Sequence, residues 1–563
     1  MRMRILLVAC VTLVLAQVLT VPVSVCGQDI ANLKNQKPVT FHGSVTNSFI
    51  FYDPGKPGSK PDLTWVISAN AVLSVYGIQM PFSFSYSASK VNYTQPFNQF
   101  GLSPKYKWIT LHLGYRNMTF SNYTLSGYTF LGAGIELTPW ILRFGLMWGR
   151  FVKSSTADAS SSLFAIPTLS RSGFAVKLGL GSSKNFVDFI VLSAKDNINT
   201  LKKTVNDSLT APAANVVTGL NMHFTLAKPL TLDVEGALSL YTTDIRLPGF
   251  EESSTDEWTK RLARIIPINL SSEYFTAFKA GLLWKKSLYS IGLAYNRIDP
   301  DYKSMGIYYI CNDLENITLS PSFYLFKRKF SFTGSAGYQH DNLRRTKTAT
   351  SMRTIWNLAL SFNPVNWFGI DFAWSNFSTN QKSGNVPLVD SLKTYNVNRT
   401  ISINPRFIII KPKHLHSVIL SFNQNDFIDR NPRSQGATTR ATTAFLNYSL
   451  SFISNQLNLT AGLSYIDCRN SYTSTTMAGG NAGVSKSFFK NKLFCSLNES
   501  AQNSRVSGQD GWVFNTSLML RYAPHRRHSI GLQVFFVTNS FADKAAVGMY
   551  NQSKGDLSYV YTF

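Results

Sequence analysis

The stretch that decides the fold is Gly555-Asp556-Leu557-Ser558-Tyr559-Val560-Tyr561-Thr562-Phe563, GDLSYVYTF. Leu557, Tyr559, Tyr561 and Phe563 fall on alternate positions, and strand side chains repeat every two residues, so all four share one face. Asp556, Ser558, Val560 and Thr562 take the other. So apolar and aromatic a face is ill suited to water. It suits lipid, where barrel strands set aromatic rings at the bilayer interface. The competing reading is the last strand of a soluble sandwich.

The same alternation recurs upstream. From Trp140 to Phe151, Trp140, Leu142, Phe144, Leu146 and Trp148 form one face, with Arg143, Gly145 and Gly149 opposite. From Leu230 to Tyr241 the greasy face is Leu230, Leu232, Val234, Leu238 and Leu240, while Asp233, Glu235, Ser239 and Tyr241 lie opposite. Charges confined to the reverse of a greasy strand face are expected of a wet lumen wall. Tight turns punctuate the runs at Thr138-Pro139, Ser183 to Asn185, Lys228-Pro229, Lys285 to Ser287, Lys327 to Lys329, Pro364 to Asn366, Lys411 to Lys413, Ser454-Asn455, Lys490 to Lys492 and Pro524 to Arg526. Their spacing, roughly 35 to 57 residues, accommodates two membrane strands and one loop.

The expected fold is therefore all-β: a single transmembrane antiparallel barrel without a separate plug domain. About 21 strands follow Gly127. With Leu63–Tyr76, Ile78–Tyr93 and Tyr106–Met118 ahead of them the total is about 24, in a range of about 22 to 26, even as in bacterial barrels. Short turns are expected on the periplasmic side and long loops outside. Thr40–Tyr52 is either an interior segment or a strand with an unrecognised partner. The chain divides into a leader (1–27), an N-terminal periplasmic or lumen segment (28–61) and the barrel (62–563).

Arg2 and Arg4 precede an apolar run from Ile5 to about Val25 with no charge in it, the layout of a secretory signal peptide with cleavage near Gly27. The alternative is an uncleaved anchor. Cys26 stands at a lipobox-like position in Val23-Ser24-Val25-Cys26, although Val25 occupies a place that calls for a small residue. No later run is long enough for a transmembrane helix. Charged residues make up only 15%, against about 25% in soluble domains, as expected when half of each strand faces lipid. The net charge of +25 would ordinarily suggest nucleic acid, but the basic residues are scattered over turns and loops with no basic helix or compact cluster. Anionic headgroups, lipopolysaccharide or an anionic solute suit them better, and no nucleic acid is expected.

Chemistry-bearing constellations are sparse. After the leader, Cys311, Cys468 and Cys495 remain, an odd number without metal-ligand spacing, leaving a Cys468–Cys495 disulfide as one option. His340 and Asp341 are adjacent and so face opposite ways, whereas His414 and His416 share a face beside a turn. Asp233 and Glu235 resemble paired carboxylates, but lumen electrostatics together with Arg143 and Asp371 is the preferred role. The acidic run Glu251, Glu252, Asp256 and Glu257 lacks calcium-loop spacing, and Thr255 to Ile265 is the best helix candidate. No catalytic residue, metal site or cofactor is assigned.

Two resemblances add to this. The ending Leu557, Tyr559, Tyr561, Phe563 resembles the C-terminal signature of outer-membrane barrels, which implies recognition by the barrel-assembly machinery. The leader, the long run of hairpins, YVYTF, and segments such as Ser103–Trp108 (SPKYKW), Gly127–Pro139 (GYTFLGAGIELTP) and Asp313–Pro321 (DLENITLSP) are similar to large outer-membrane β-barrel proteins of the Bacteroidota with no assigned activity. That likeness is architectural and implies location and fold. The functional expectation is a porin-like channel or solute transporter of the outer membrane, with Arg143, Asp233, Glu235 and Asp371 shaping ion preference. The alternative is a non-conducting scaffold for a surface or periplasmic protein partner. The loops look too modest to build a large constriction, and some 35 residues ahead of Leu63 leave too little chain for a transporter-type plug.

Overall fold

The computed structural model describes residues 38–55, 62–76, 78–87, 99–154, 167–200, 210–249, 268–384, 393–431, 437–541 and 551–563. The leader with Cys26, the acidic run Glu251 to Glu257 and the helix candidate Thr255 to Ile265 lie outside them.

All strands belong to one antiparallel sheet of 27 hydrogen-bonded segments. Gln99–Leu102 and Lys105–Tyr106 lie end to end between Ile78–Ser87 and Ile109–Met118, so they share one place and the wall has 26 positions. The sheet closes on itself. Val39–Asp53 pairs with Asp62–Val75 on one side and with Gln552–Thr562, the last strand, on the other. At the seam the Phe563 N–H donates to the Gly43 carbonyl at 3.0 Å, and the Phe41 and Phe563 rings stack with centroids 4.3 Å apart. Twenty-six strands about 4.8 Å apart and tilted about 40° close a cylinder about 50 Å across.

The 21 strands from Tyr128–Leu137 onward match the sequence count. The difference lies ahead of them, where five positions exist in place of three. Val39–Asp53 is wall and not an N-terminal extra, so the barrel starts at 39 instead of 62. The segment from Gln99 to Tyr106 supplies the other, and the strand expected from Tyr106 begins at Ile109, after a turn at Lys107-Trp108. Each of the ten tight turns read from the sequence joins two paired strands, all at one end, where Val39 and Phe563 also lie. Trp140 belongs to such a turn, with a left-handed backbone (φ 53°), and the strand it was assigned to runs from Leu142 to Val152.

Alternation fixes which side faces lipid. In Leu142–Val152, Trp148 is 67% exposed while its neighbour Met147 is fully buried. In Phe186–Asn197, Phe189 is 52% exposed between Asp188 and Ile190, both buried. Leu146, Leu178, Leu238, Ile291, Leu319, Leu463, Leu557 and Tyr559 continue the exposed apolar set around the wall. A closed wall has two sides; the side bearing these residues faces lipid, so the buried positions between them face the interior.

Candidate functional site

The lumen is the place where side chains of this barrel can meet a solute, and its wall falls into two unlike arcs. Along the first, the inward residues Phe130, Met147, Ala175, Ile190, Leu192 and Val217 are buried. They are covered by two inter-strand connections from the long-loop end, residues 119–127 and 299–313, which supply Phe120, Tyr123, Leu125, Tyr302 and Met305 to the same apolar cluster. The two connections also pair: Leu125 and Gly306 form a parallel bridge, and the Ser126 N–H donates to the Gly306 carbonyl at 3.1 Å. The Tyr302 hydroxyl donates to the Tyr123 carbonyl and the Ser304 hydroxyl to the Thr124 carbonyl, both at 2.6 Å.

Wall residues latch this pair in place. The Glu235 carboxylate accepts the backbone N–H of Asn122, the Asn122 side-chain amide at 2.7 Å and the Tyr123 N–H at 3.2 Å. Asn215 accepts the Met305 N–H at 3.0 Å through Oδ1, and its Nδ2 donates to the Ser239 hydroxyl at 2.8 Å, which in turn donates to the Lys303 carbonyl at 2.6 Å. The Tyr123 hydroxyl donates to Asn296 Oδ1 at 2.6 Å. Burial pushes the Tyr123 and Tyr302 phenols well above their ordinary value, with the charge of Glu235 adding to the shift, so both act as neutral donors. Inward glycines make the close approach possible. A Cβ on Gly145 would come within 2.8 Å of the Phe120 ring, and one on Gly219 within 2.5 Å of the Thr124 methyl.

The four charges expected in the lumen are all on the inward face, and each has a partner. Arg143 donates twice to Asp188, at 2.7 and 2.9 Å, and lies over the Phe186 ring. Asp233 meets His223 across the strand pair, Glu235 holds the infolded connection, and Asp371 accepts from Arg406, which also donates to Asn363. Asp233 and Glu235 therefore share a face but hold different partners. The interior fill by residues 119–127 and 299–313 was not expected from their length.

The second arc lies across the barrel, on the strands from Thr439 to His525. Here Asn447, Gly462, Asn481, Ser500 and Asn515 sit in direct cross-strand register, beside a second row of Ser449, Thr460, Gly483, Asn498 and Ser517. Both rows are inward and uncharged. Asn447, Asn481 and Asn498 are exposed, so no described residue covers them. The amides interlock with hydroxyls: Asn515 Nδ2 donates to Ser500 at 3.1 Å and Ser449 donates to Asn458 at 2.8 Å. Sequence reasoning missed this lattice; its signal was Asn, Ser, Thr and Gly sharing the alternate positions opposite the apolar face in five successive strands, as at Asn447, Ser449 and Ser451, at Gly479, Asn481 and Gly483, and at Ser496, Asn498 and Ser500.

The remaining candidates have plain places. His414 and His416 lie on the outer face near the tight-turn end, His416 Nδ1 within 2.9 Å of the Tyr448 hydroxyl, an arrangement suited to an aromatic rim. His340 sits 3.6 Å from Glu315, and Asp341 accepts the Ser351 N–H at 2.6 Å, so the two do not act on each other. Cys311, Cys468 and Cys495 are free thiols. Among the described residues no group of metal-ligating side chains converges.

A closed wall, an exposed apolar belt and a polar interior define a transmembrane β-barrel of the outer-membrane type. No protein-family profile and no curated protein matches the chain. Among solved structures, the chain is similar to one in the E. coli P pilus tip assembly intermediate PapC-PapD-PapK-PapG, with 12% identity and a TM-score of 0.44 over 92% of this chain; it spans 60% of the length of that one. It is also similar to the FrpB iron transporter from Neisseria meningitidis, at 9% identity and a TM-score of 0.38, covering 95% of this chain and 83% of that one. For Acinetobacter baumannii OccAB2 the values are 6% identity, a TM-score of 0.31, and coverage of 63% and 92%.

Proposed function

We propose that this barrel is an outer-membrane diffusion channel for uncharged, hydrogen-bonding solutes, with its pathway along the Asn/Ser/Thr arc and its opposite side occupied by the two infolded connections. The reading is carried by the contrast between the arcs: one inward face is buried beneath latched connections, while Asn447, Asn481 and Asn498 stand exposed across the lumen. A cylinder about 50 Å across is far wider than two short connections can fill. Amides and hydroxyls present both donors and acceptors to a polyhydroxylated solute and no fixed charge to repel either ion sign. Arg143 and Asp371 are ion-paired with Asp188 and Arg406, Asp233 is held by His223, and Glu235 is buried beneath the connection it binds; none of the four lies on the neutral arc.

The test is liposome swelling with the purified barrel, paired with planar-bilayer recording. Neutral sugars should enter at size-limited rates, and reversal potentials should indicate weak discrimination between cations and anions. Silent bilayers with no swelling would overturn the reading in favour of a non-conducting scaffold. Strong anion preference would overturn the assignment of the pathway to the neutral arc.

A further inference from the structure

On the outer face of the strands Tyr395–Ile410, His414–Asp429, Thr439–Phe452 and Leu457–Asn470 lies an apolar groove of about 440 Å³, lined by Ile403, Leu420, Phe422, Leu446, Leu463 and Tyr465 among others. Ala444 creates it: this small residue sits directly between Phe422 and Tyr465 in the cross-strand register. Four residues toward the long-loop end of each strand, about 13 Å along it, the same outer face becomes ionic. Ile403 gives way to Arg399, Phe422 to Asp426, Ala444 to Arg440 and Tyr465 to Arg469. The level of this change fits a bilayer boundary. His416 in the lower aromatic rim and Asp426 are ten residues apart on one strand, about 33 Å along it and about 25 Å along the barrel axis at a 40° tilt, the height of a lipid-facing band.

The ionic group is preorganised and not charge-balanced. Asp426 is buried, accepting from Arg399 at 2.6 Å, Arg440 at 3.1 Å and Gln424 at 3.1 Å. Asp467 accepts from Arg469 at 2.9 Å and from the Thr476 hydroxyl at 3.1 Å. Three guanidinium groups thus face two carboxylates. Arg440 and Arg469 are direct cross-strand neighbours, an arrangement that is unfavourable between like charges, yet their side chains remain 64% and 65% exposed. Arg399 Nε is buried with no hydrogen-bond partner among the described residues. An anion between the exposed guanidinium groups of Arg440 and Arg469 would relieve the repulsion, and phosphate, with several acceptor oxygens, suits a pair of such donors.

We propose that this face binds one phosphorylated lipid of the outer leaflet, with its phosphate against Arg440 and Arg469 and an acyl chain in the groove beneath. Carboxylates alone would leave the groove without a role, and an apolar chain alone would leave the arginines without one; a phosphorylated amphiphile matches both. The experiment is native mass spectrometry of the full detergent-solubilised barrel with hexa-acylated lipid A, its dephosphorylated counterpart, or inorganic phosphate alone. Lipid A should stay bound, with the dephosphorylated form retained at least roughly tenfold less, and inorganic phosphate should not displace lipid A at equal concentration. The Arg440→Gln/Arg469→Gln variant and, independently, Ala444→Trp, which fills the groove, should each reduce retention roughly tenfold while the folded barrel keeps its electrophoretic mobility. Equal retention of both lipids, or undiminished binding to both variants, would overturn the proposal, as would displacement by inorganic phosphate.

Discussion

Replacing Glu235 with Gln should loosen the infolded connections without opening the barrel wall. Glu235 is nearly buried and accepts three hydrogen bonds from Asn122 and Tyr123, at a position 113 residues away in sequence. Gln keeps the length and one acceptor oxygen, but turns an NH₂ group toward donors that then have no acceptor. One bond is lost and the others lose their charge assistance, about 2–3 kcal/mol in all. That corresponds to a roughly 30- to 150-fold rise in the population with residues 119–127 released. The assay is maleimide labelling of Thr124→Cys, with Cys311, Cys468 and Cys495 changed to Ser. Thr124 is fully buried in the closed state, so its labelling rate follows the released population when reclosing is fast. Glu235→Gln should accelerate labelling by that factor while the melting temperature moves little. An unchanged rate would refute the latch, and a collapse of global stability would show that Glu235 supports the wall itself.

Three further outcomes follow from the same geometry. Arg143→Ala strands the buried Asp188 carboxylate and should cost about 3–5 kcal/mol, seen as a lower melting temperature, whereas the Arg143→Met/Asp188→Leu pair should recover most of it and ion preference should not change. Gly145→Val puts a Cβ against the Phe120 ring, so labelling of Thr124→Cys should accelerate in this variant as well. Acid should weaken the long-loop end through Asp313. Burial alone would raise its carboxyl, but the ion pair with Lys347 and the N–H groups of Leu343 and Asn342 outweigh it and hold it below its ordinary value. Its stabilisation is therefore complete above the unfolded value of about 3.9 and is lost as pH falls through the lower folded value. The melting temperature should drop below about pH 4 less steeply in Asp313→Asn than in the parent protein.

Where lipid and water lie on opposite sides of one strand, the sequence writes the difference at period two, which is why the strands from Tyr128 onward and the ten tight turns were readable. Val39–Asp53 was harder. Gly43 and Asn47 interrupt its outward set of Val39, Phe41, Val45, Phe49 and Phe51, and Ile50 and Tyr52 put bulk on its inward face. The Gln99–Tyr106 position was hidden because Ser103-Pro104 breaks it into pieces too short to alternate, and proline withholds a ladder donor. The sidedness of Glu235 was legible, but its partner was not. Periodicity reports which side a residue faces, not which distant segment folds back to meet it.

Residue size on the inward face carries what charge does not. Gly145 and Gly219 meet infolded side chains, and a wall without Cβ atoms is an expensive choice for a strand unless something must come close. Across the barrel the inward glycines lie under wall side chains instead. A Cβ on Gly462 would strike Asn481 Oδ1 at 2.1 Å, and one on Gly483 would strike Asn498 Oδ1 at 2.2 Å. There, glycine lets neighbouring amides lie flat over the sheet and interlock with one another. The same residue type thus makes room for an infolded connection on one arc and for a ladder of asparagines on the other. The two are distinguished by what alternates with glycine: apolar residues that disappear under cover, or amides that stay exposed. This difference assigns the occupied and the wet sides of the lumen on packing grounds, without recourse to any charge in the wall.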